Sequence, residues 1–592
     1  MSSSPGGFLP PLDPHQQGAG SMSRVVMTAS LMLVMWMAMQ IFTDKPEKKP
    51  AEPTPAAAQT TATTTPSSAA GINNATPATP DLPEETRVFA ADVAKATGSA
   101  EISGGYEAKL SSHGAQFSSY LLTHYFEAEL NKEAKAAGKP LERVDLAQAT
   151  NQKAQLPALR SRGGDVDLAA DAGYEIKEST ENSVLFSRLT SSGIRVNRRY
   201  TFSDKTFALT HELTLVNEGS ERKTALLDVV LSGTERKGER DSGGFFSPGT
   251  PDRLGGHCDI NGSREHFMSK EVQDDPDDAS FTGQVRTAAI DRHYFVAAVA
   301  FDNTPTDKCK ASYFEVDPSG SEKGPRGIQV TVELSAIPLA GGESKTFTQP
   351  AFLGPKQLGF LQQFGHGLEE SIDFGMLAVL SRPLLWLMVA LKTQVGNYGF
   401  GIIALTLIIF ALTFPLTHKS MVEMKKFSKI MKELKPELDK LKEKYGADQR
   451  QMVEKQQAFF ASKGVNPFAN LMGCLPMLIS MPVWMALYRT LSTSVELFQQ
   501  PFPLLGILDL TQSDTILFGF PLLPFIVCGL MFVSTLQQPP PDDQPQMKYM
   551  MYGMPVFFLF IMFNMASGLS IYMITNSILR MIQSYFIKRK YG

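Results

Sequence analysis

Lys419-Ser420-Met421-Val422-Glu423-Met424-Lys425-Lys426-Phe427-Ser428-Lys429-Ile430-Met431-Lys432-Glu433-Leu434-Lys435 opens a charged segment that runs to Lys463, between apolar segments around Ile402 and Met477. From Lys419 to Lys463 there are twelve Lys or Arg against seven Asp or Glu, a net of +5. Short connections rich in Lys and Arg stay on the cytoplasmic side of a bilayer, and an apolar stretch of about 20 residues can cross one as a helix. The next connection carries Glu496 and Asp509 and no base, so it is expected outside. This basic hairpin therefore orients the chain.

At 592 residues the chain is too long for one ordinary domain, and its net charge of −4 does not indicate a nucleic-acid partner, so no DNA is expected. Val25 to Phe42 is almost uniformly apolar, with Arg24 before it and Asp44, Lys45, Glu47, Lys48 and Lys49 after it. Met39, Gln40, Ile41 and Phe42 leave no small-residue cleavage site, which favours a retained anchor over a cleaved signal peptide. Of the four cysteines, Cys474 and Cys528 sit in apolar segments as small hydrophobes. Cys258 and Cys309 lie in the soluble region and could bridge outside, although nothing in the sequence brings them together.

Working outward, the sequence divides into a cytoplasmic start (1–23), an anchor helix (24–43), a Pro/Ala/Thr-rich tether (44–84), a β-domain (85–355) and an interfacial amphipathic region (356–396). A second span (397–418), the basic hairpin (419–465) and a third span (466–492) follow, then spans at 515–537, 547–566 and 568–587 and a basic tail (588–592). The expected fold is a polytopic α-helical membrane protein with six transmembrane helices and both termini cytoplasmic. The β-domain is read from period-2 runs. Phe207, Leu209, His211, Leu213 and Leu215 share one face, as do Ile328, Val330, Val332 and Leu334. His211 reads as a hydrogen-bonded core residue. Asp291, Arg292 and His293 alternate faces and so do not converge on a catalytic site.

Several short stretches carry a family likeness. They are Phe352-Leu353-Gly354-Pro355-Lys356, Gly396-Asn397-Tyr398-Gly399-Phe400, Phe414-Pro415-Leu416-Thr417, Asn466-Pro467, Gly473-Cys474-Leu475-Pro476-Met477, Met481 to Tyr488, and Ser567-Gly568-Leu569 with Tyr572 and Asn576. In this order and spacing the chain resembles the YidC/Oxa/Alb family of membrane protein insertases, in the Gram-negative form with a large periplasmic domain. The resemblance implies an all-β supersandwich outside and a five-helix insertase core around a hydrophilic groove open to cytoplasm and lipid. It implies no chemical reaction and no cofactor. The implied role is to insert and fold inner-membrane proteins, alone or with the Sec translocon. The implied partners are nascent membrane protein clients, the ribosome, the signal recognition particle receptor and anionic phospholipids.

The resemblance also implies a positive residue in the groove on the second span, where this chain has Phe410 between Thr406 and Thr413 on one face. On the last span Tyr572, Asn576, Arg580 and Gln583 form a polar stripe, and Arg580 offers a replacement charge. Arg580 lies eight residues before Lys588 and Phe410 eight before His418, which places both about 12 Å from the cytoplasmic end. The other reading has Arg580 snorkelling to head groups. Met477, Met481, Trp484 and Tyr488 on the third span, with Phe557, Phe560 and Phe563 on the fifth, suit an apolar client slide, or ordinary helix packing. Lys425, Lys429, Lys432 and Lys435 recur along the hairpin, suited to anionic lipid or RNA phosphates, or simply to solvent. Two other functions remain open: a small-solute transporter with an outer binding domain, and an anchored carbohydrate-active enzyme. Neither explains the sequence as fully, since the spans show no internal repeat and an enzyme would leave five of them without a role.

Overall fold

The computed structural model describes residues 83–97, 104–127, 140–147, 156–234, 254–275, 279–315, 326–445, 449–463, 475–513, 521–537, 545–563 and 565–591. The expected anchor (24–43), the tether up to residue 82, Asn466-Pro467, Gly473 and Cys474 lie outside the described residues.

From Thr86–Ala91 to Ser344–Pro355 the described residues form antiparallel sheets of four, six and nine strands, with short helices between some of them. In Ala208–Asn217 half-buried and buried residues alternate along the whole strand. Its buried face is Leu209, His211, Leu213 and Leu215, continued by Phe207, and Ile328, Val330, Val332 and Leu334 are likewise fully buried. Period-2 hydrophobicity thus becomes a closed core. His211 lies in it with Nδ1 2.9 Å from Gln349 Oε1, while Arg198 donates Nε–H to His211 Nε2 at 3.1 Å. Arg198 is itself fully buried and satisfied by the carbonyls of Gly114 and Pro157 and the Tyr200 hydroxyl. Burial of a cation is tolerated because every side of it meets a fixed acceptor.

Cys258 and Cys309 are joined in a disulfide, with Cα atoms 6.6 Å apart. Cys258 belongs to the nine-stranded sheet and Cys309 to the six-stranded one, so the bond staples two sheets. Sequence spacing could not foresee it because the contact is made between layers and not within a ladder.

After a short helix at Leu358–Phe364, the described residues form seven longer helices: α1 (Ala378–Val395), α2 (Tyr398–Tyr445), α3 (Gln449–Ser462), α4 (Leu475–Thr493), α5 (Leu522–Leu536), α6 (Pro545–Met562) and α7 (Ser567–Tyr591). α2 packs on α1, α3, α4 and α7, and α5 packs on α6 and α7. Among the described residues one helix, α2, is long and apolar enough by itself to cross a membrane, and α5 and part of α6 are shorter apolar helices.

Two boundaries differ from expectation. The amphipathic region does not form one helix, because a short helix (Leu358–Phe364) and 3-10 turns precede α1. Asp373 accepts the Gly375 N–H at 2.8 Å there, a local side-chain bond that competes with helix. α1 then exposes Val379, Leu380 and Trp386, an apolar face suited to an interface. Second, span and hairpin are not separate elements: α2 continues for 48 residues from Tyr398 through Lys419 to Tyr445. No glycine or capping signal interrupts it after Gly401, and Pro415 and Pro436 are accommodated inside it.

The junction motif has a local cause at each position. Gly396 closes α1 in the left-handed region at φ 78°. Asn397 caps α2 by accepting the Gly399 N–H at 2.7 Å and donates to Pro501 O at 2.9 Å. At Gly399 a Cβ would lie 2.3 Å from the Phe502 ring, so only glycine lets that ring in.

The β-rich part rests on the connection after α4. Ser492 O accepts from the Tyr294 hydroxyl at 3.0 Å and lies 2.6 Å from His293 Nε2. Phe498 stacks on Tyr294, with ring centroids 4.4 Å apart, and meets Tyr125 and Phe295. Phe126 N–H donates to Gln499 Oε1 at 3.2 Å. Asp291, Arg292 and His293 point to three different partners, namely Lys356, Glu127 and Ser492.

Candidate functional site: the seam between α2 and α7

α2 and α7 run in the same direction, and Gln583 Nε2 donates to Thr417 Oγ1 at 3.3 Å across their buried contact. Thr417 had been read only as part of a motif, yet it is the residue on α2 that meets the stripe on α7. Thr417 donates its own hydroxyl to Phe414 O at 3.1 Å, and the other threonine hydroxyls likewise turn to their own helix. Thr406 donates to Ile402 O at 2.7 Å and Thr413 to Ile409 O at 2.9 Å. Their remaining lone pairs can only accept, so this wall offers acceptors to a neighbour and few donors. Gln583 Oε1 and His418 Nδ1 are buried without a hydrogen-bond partner.

Phe410 is half-buried and forms an aromatic ladder with Phe414 and His418, at centroid distances of 5.8 and 5.4 Å along one face. An arginine there would sit on the same turn as this ladder.

The Thr417–Gln583 contact corrects the height assigned to Arg580. Phe410 lies seven residues before Thr417 and Arg580 three before Gln583. For helices side by side, Arg580 is then about 6 Å nearer the C-terminal end of the pair than Phe410, and Asn576 is the residue level with Phe410. Side chains on a helix lean toward its N-terminus, so the Arg580 stem reaches back toward Phe410. Tyr572 is buried, Asn576 and Arg580 are half-buried and Gln583 is buried.

On α4, Met481, Trp484 and Tyr488 are half-buried, and Met477 lies on the same helix. Trp484 stacks on Tyr488 at 6.4 Å and meets Phe558 of α6 edge-on at 6.1 Å. Phe558 was missed because Phe557, Phe560 and Phe563 are spaced along a different face. Phe557 and Phe560 are exposed and Phe563 packs on Phe525 of α5. α4 is tied to α1 by Ser381 Oγ donating to Ala486 O at 3.1 Å and Thr490 Oγ1 to Ser381 O at 3.3 Å, the close approach that small residues permit.

The four hairpin lysines do not behave alike. Lys429 and Lys432 are exposed and Lys435 half-buried, while Lys425 is half-buried near Lys588 of α7. Partial burial and that second ammonium push the Lys425 pKa down. Lys463 bridges Glu437 at 2.9 Å and holds α3 against α2.

Fold and site together define a helical core, with one helix long and apolar enough to cross a membrane and a polar seam beside it, joined to a β-rich domain. Two family descriptions match, "YidC periplasmic domain" over residues 103–387 and "60Kd inner membrane protein" over 390–592. The membrane protein insertase YidC of Anaeromyxobacter dehalogenans strain 2CP-1 is 32% identical over 496 residues, 82% of this chain and 84% of that one. That of Geobacter sulfurreducens is 28% identical over 472 residues, 78% and 82% of the two chains. A solved structure of an active YidC insertase covers 81% of this chain and 90% of its own, at 16% identity and a TM-score of 0.33. The chain belongs to the YidC family of membrane protein insertases.

Proposed function

We propose that this chain inserts and folds inner-membrane proteins, leading a client's polar end through the α2–α7 seam while its apolar part passes into lipid along α4 and α6. The physical need is plain. Each unsatisfied polar group in hydrocarbon costs several kcal/mol, and a polar seam shortens the dry path. The observation that carries the reading is the polar face of Tyr572, Asn576, Arg580 and Gln583, hydrogen-bonded to α2 at Thr417. In this reading Arg580 supplies the groove's positive charge, in place of one at Phe410, and does not snorkel. Exposed Phe557 and Phe560 on α6, with Trp484 of α4 meeting α6 at Phe558, favour the slide.

In this reading the chain has six spans with both termini cytoplasmic, and the domain limits follow those expected from sequence. It acts without cofactor or covalent chemistry, alone or beside the Sec translocon. Lys429 and Lys432 meet anionic phospholipids, the ribosome or the signal recognition particle receptor. A transporter is disfavoured by the lack of repeated spans.

The test is depletion followed by complementation, scoring protease protection of a single-span client. Depletion should block insertion. Arg580→Ala should lose most activity, Arg580→Lys retain part of it, and Phe410→Arg restore it in the Arg580→Ala background. Normal client insertion on depletion overturns the function; full activity of Arg580→Ala overturns only the assignment of the charge.

A further inference from the structure

We propose that His257, His266 and Asp291 form a binding site for a divalent transition metal of the zinc type on the β-rich domain. Strand register places them together. Ser263–Met268, Gly255–Ile260 and Val285–Asp291 are adjacent strands in that order. His257 lies directly opposite His266 on one side and Ala289 on the other. Asp291, two residues beyond Ala289, points to the same face. A ligand atom from each of the three lies within 4.8 Å of the others, and among the described residues this is the one such cluster.

The donor set is prepared for a Lewis acid. His257 is fully buried, with Nδ1 2.5 Å from Asp291 Oδ2, and its Nε2 is buried without a hydrogen-bond partner. His257 Nδ1 and Asp291 Oδ2 stand close enough for one cation to replace the proton they share. Lys356 Nζ stands 2.9 Å from Asp291 Oδ1, leaving Oδ2 on the histidine side. Arg264 is spent on Asp259 through two bonds of 2.6 and 2.7 Å. Around the cluster, Asp259, Asp291, Glu370 and Asp373 face Lys356 and Arg264, so carboxylates outnumber cations. Two imidazoles and one carboxylate suit zinc, cobalt or copper better than calcium or magnesium, and leave a fourth position for water or Asp373.

The experiment uses the full chain purified without a polyhistidine tag, stripped with chelator and titrated with Co2+ and then Zn2+. One equivalent of Co2+ should bind with a visible ligand-field band that Zn2+ abolishes. His266 is exposed, so His266→Ala leaves the fold intact and should weaken binding more than about tenfold, as should Asp291→Asn. Zn2+ should also raise the unfolding temperature of the parent protein and not that of His266→Ala. Equal Co2+ uptake by parent and His266→Ala, or no ligand-field band in the parent, overturns the proposal.

Discussion

At the scale of single residues, buried polar atoms decide the outcome of substitution. Thr417→Val would leave the Gln583 amide buried opposite a methyl group, at a cost of about 1–3 kcal/mol. The double change Thr417→Val/Gln583→Leu removes both partners and should recover most of that loss, measured by heat resistance in detergent. His211 gives the clearest pH dependence. Burial, then Arg198, push its pKa well below the ordinary histidine value, so the folded imidazole stays neutral. The unfolded chain takes up a proton below about pH 6.5 and the folded chain does not. Stability from this group is therefore complete above about pH 6.5 and falls as pH drops, by up to about 1.4 kcal/mol per unit. His211→Gln keeps an acceptor for Arg198 and should flatten that part of the slope. Protease resistance after heating at pH 7 and about pH 5 measures it.

At the scale of elements, the α1–α2 junction is the sensitive point. Asn397→Ala removes a cap and should cost about 1 kcal/mol, whereas Gly399→Leu drives a side chain into Phe502 and should cost about 1–3 kcal/mol or abolish accumulation. Steady-state protein level and detergent melting temperature separate the two. These glycines and Asn397 were legible as motif residues, and packing supplies their reason. Strand faces such as Leu209 to Leu215 were also legible, because period 2 is a local signal. The Cys258–Cys309 bond and the Thr417–Gln583 contact were not, because each depends on how separate elements are brought side by side. The height of Arg580 failed for the same reason: counting from chain ends fixed each helix alone and not their mutual register.

At the scale of the whole molecule, the β-rich domain grips the C-terminal end of α4 and the connection after it through Tyr294, His293 and Phe498. Phe498→Ala removes the ring that three aromatic residues enclose, a loss of about 3–5 kcal/mol of packing. Cleavage in the connection after Thr493 should then become faster under limited proteolysis, with the sheets still resistant. Family membership was legible because short motifs recur in order along the membrane half, while the metal-ligand cluster was not, since its three residues come from strands joined only by sheet register. The unbroken α2 has a mechanical meaning. It spans about 70 Å, and its contact with α7 at Thr417 divides it into arms of about 29 Å toward Tyr398 and about 42 Å toward Tyr445. To the extent that it stays straight through Pro415, such a rod acts as a lever with its fulcrum at the polar seam. A force that shifts the Tyr445 end by about 6 Å would tilt the rod by about 8° and move the Tyr398 end by about 4 Å the other way. A load at one end would thereby be felt at the other without any change of secondary structure.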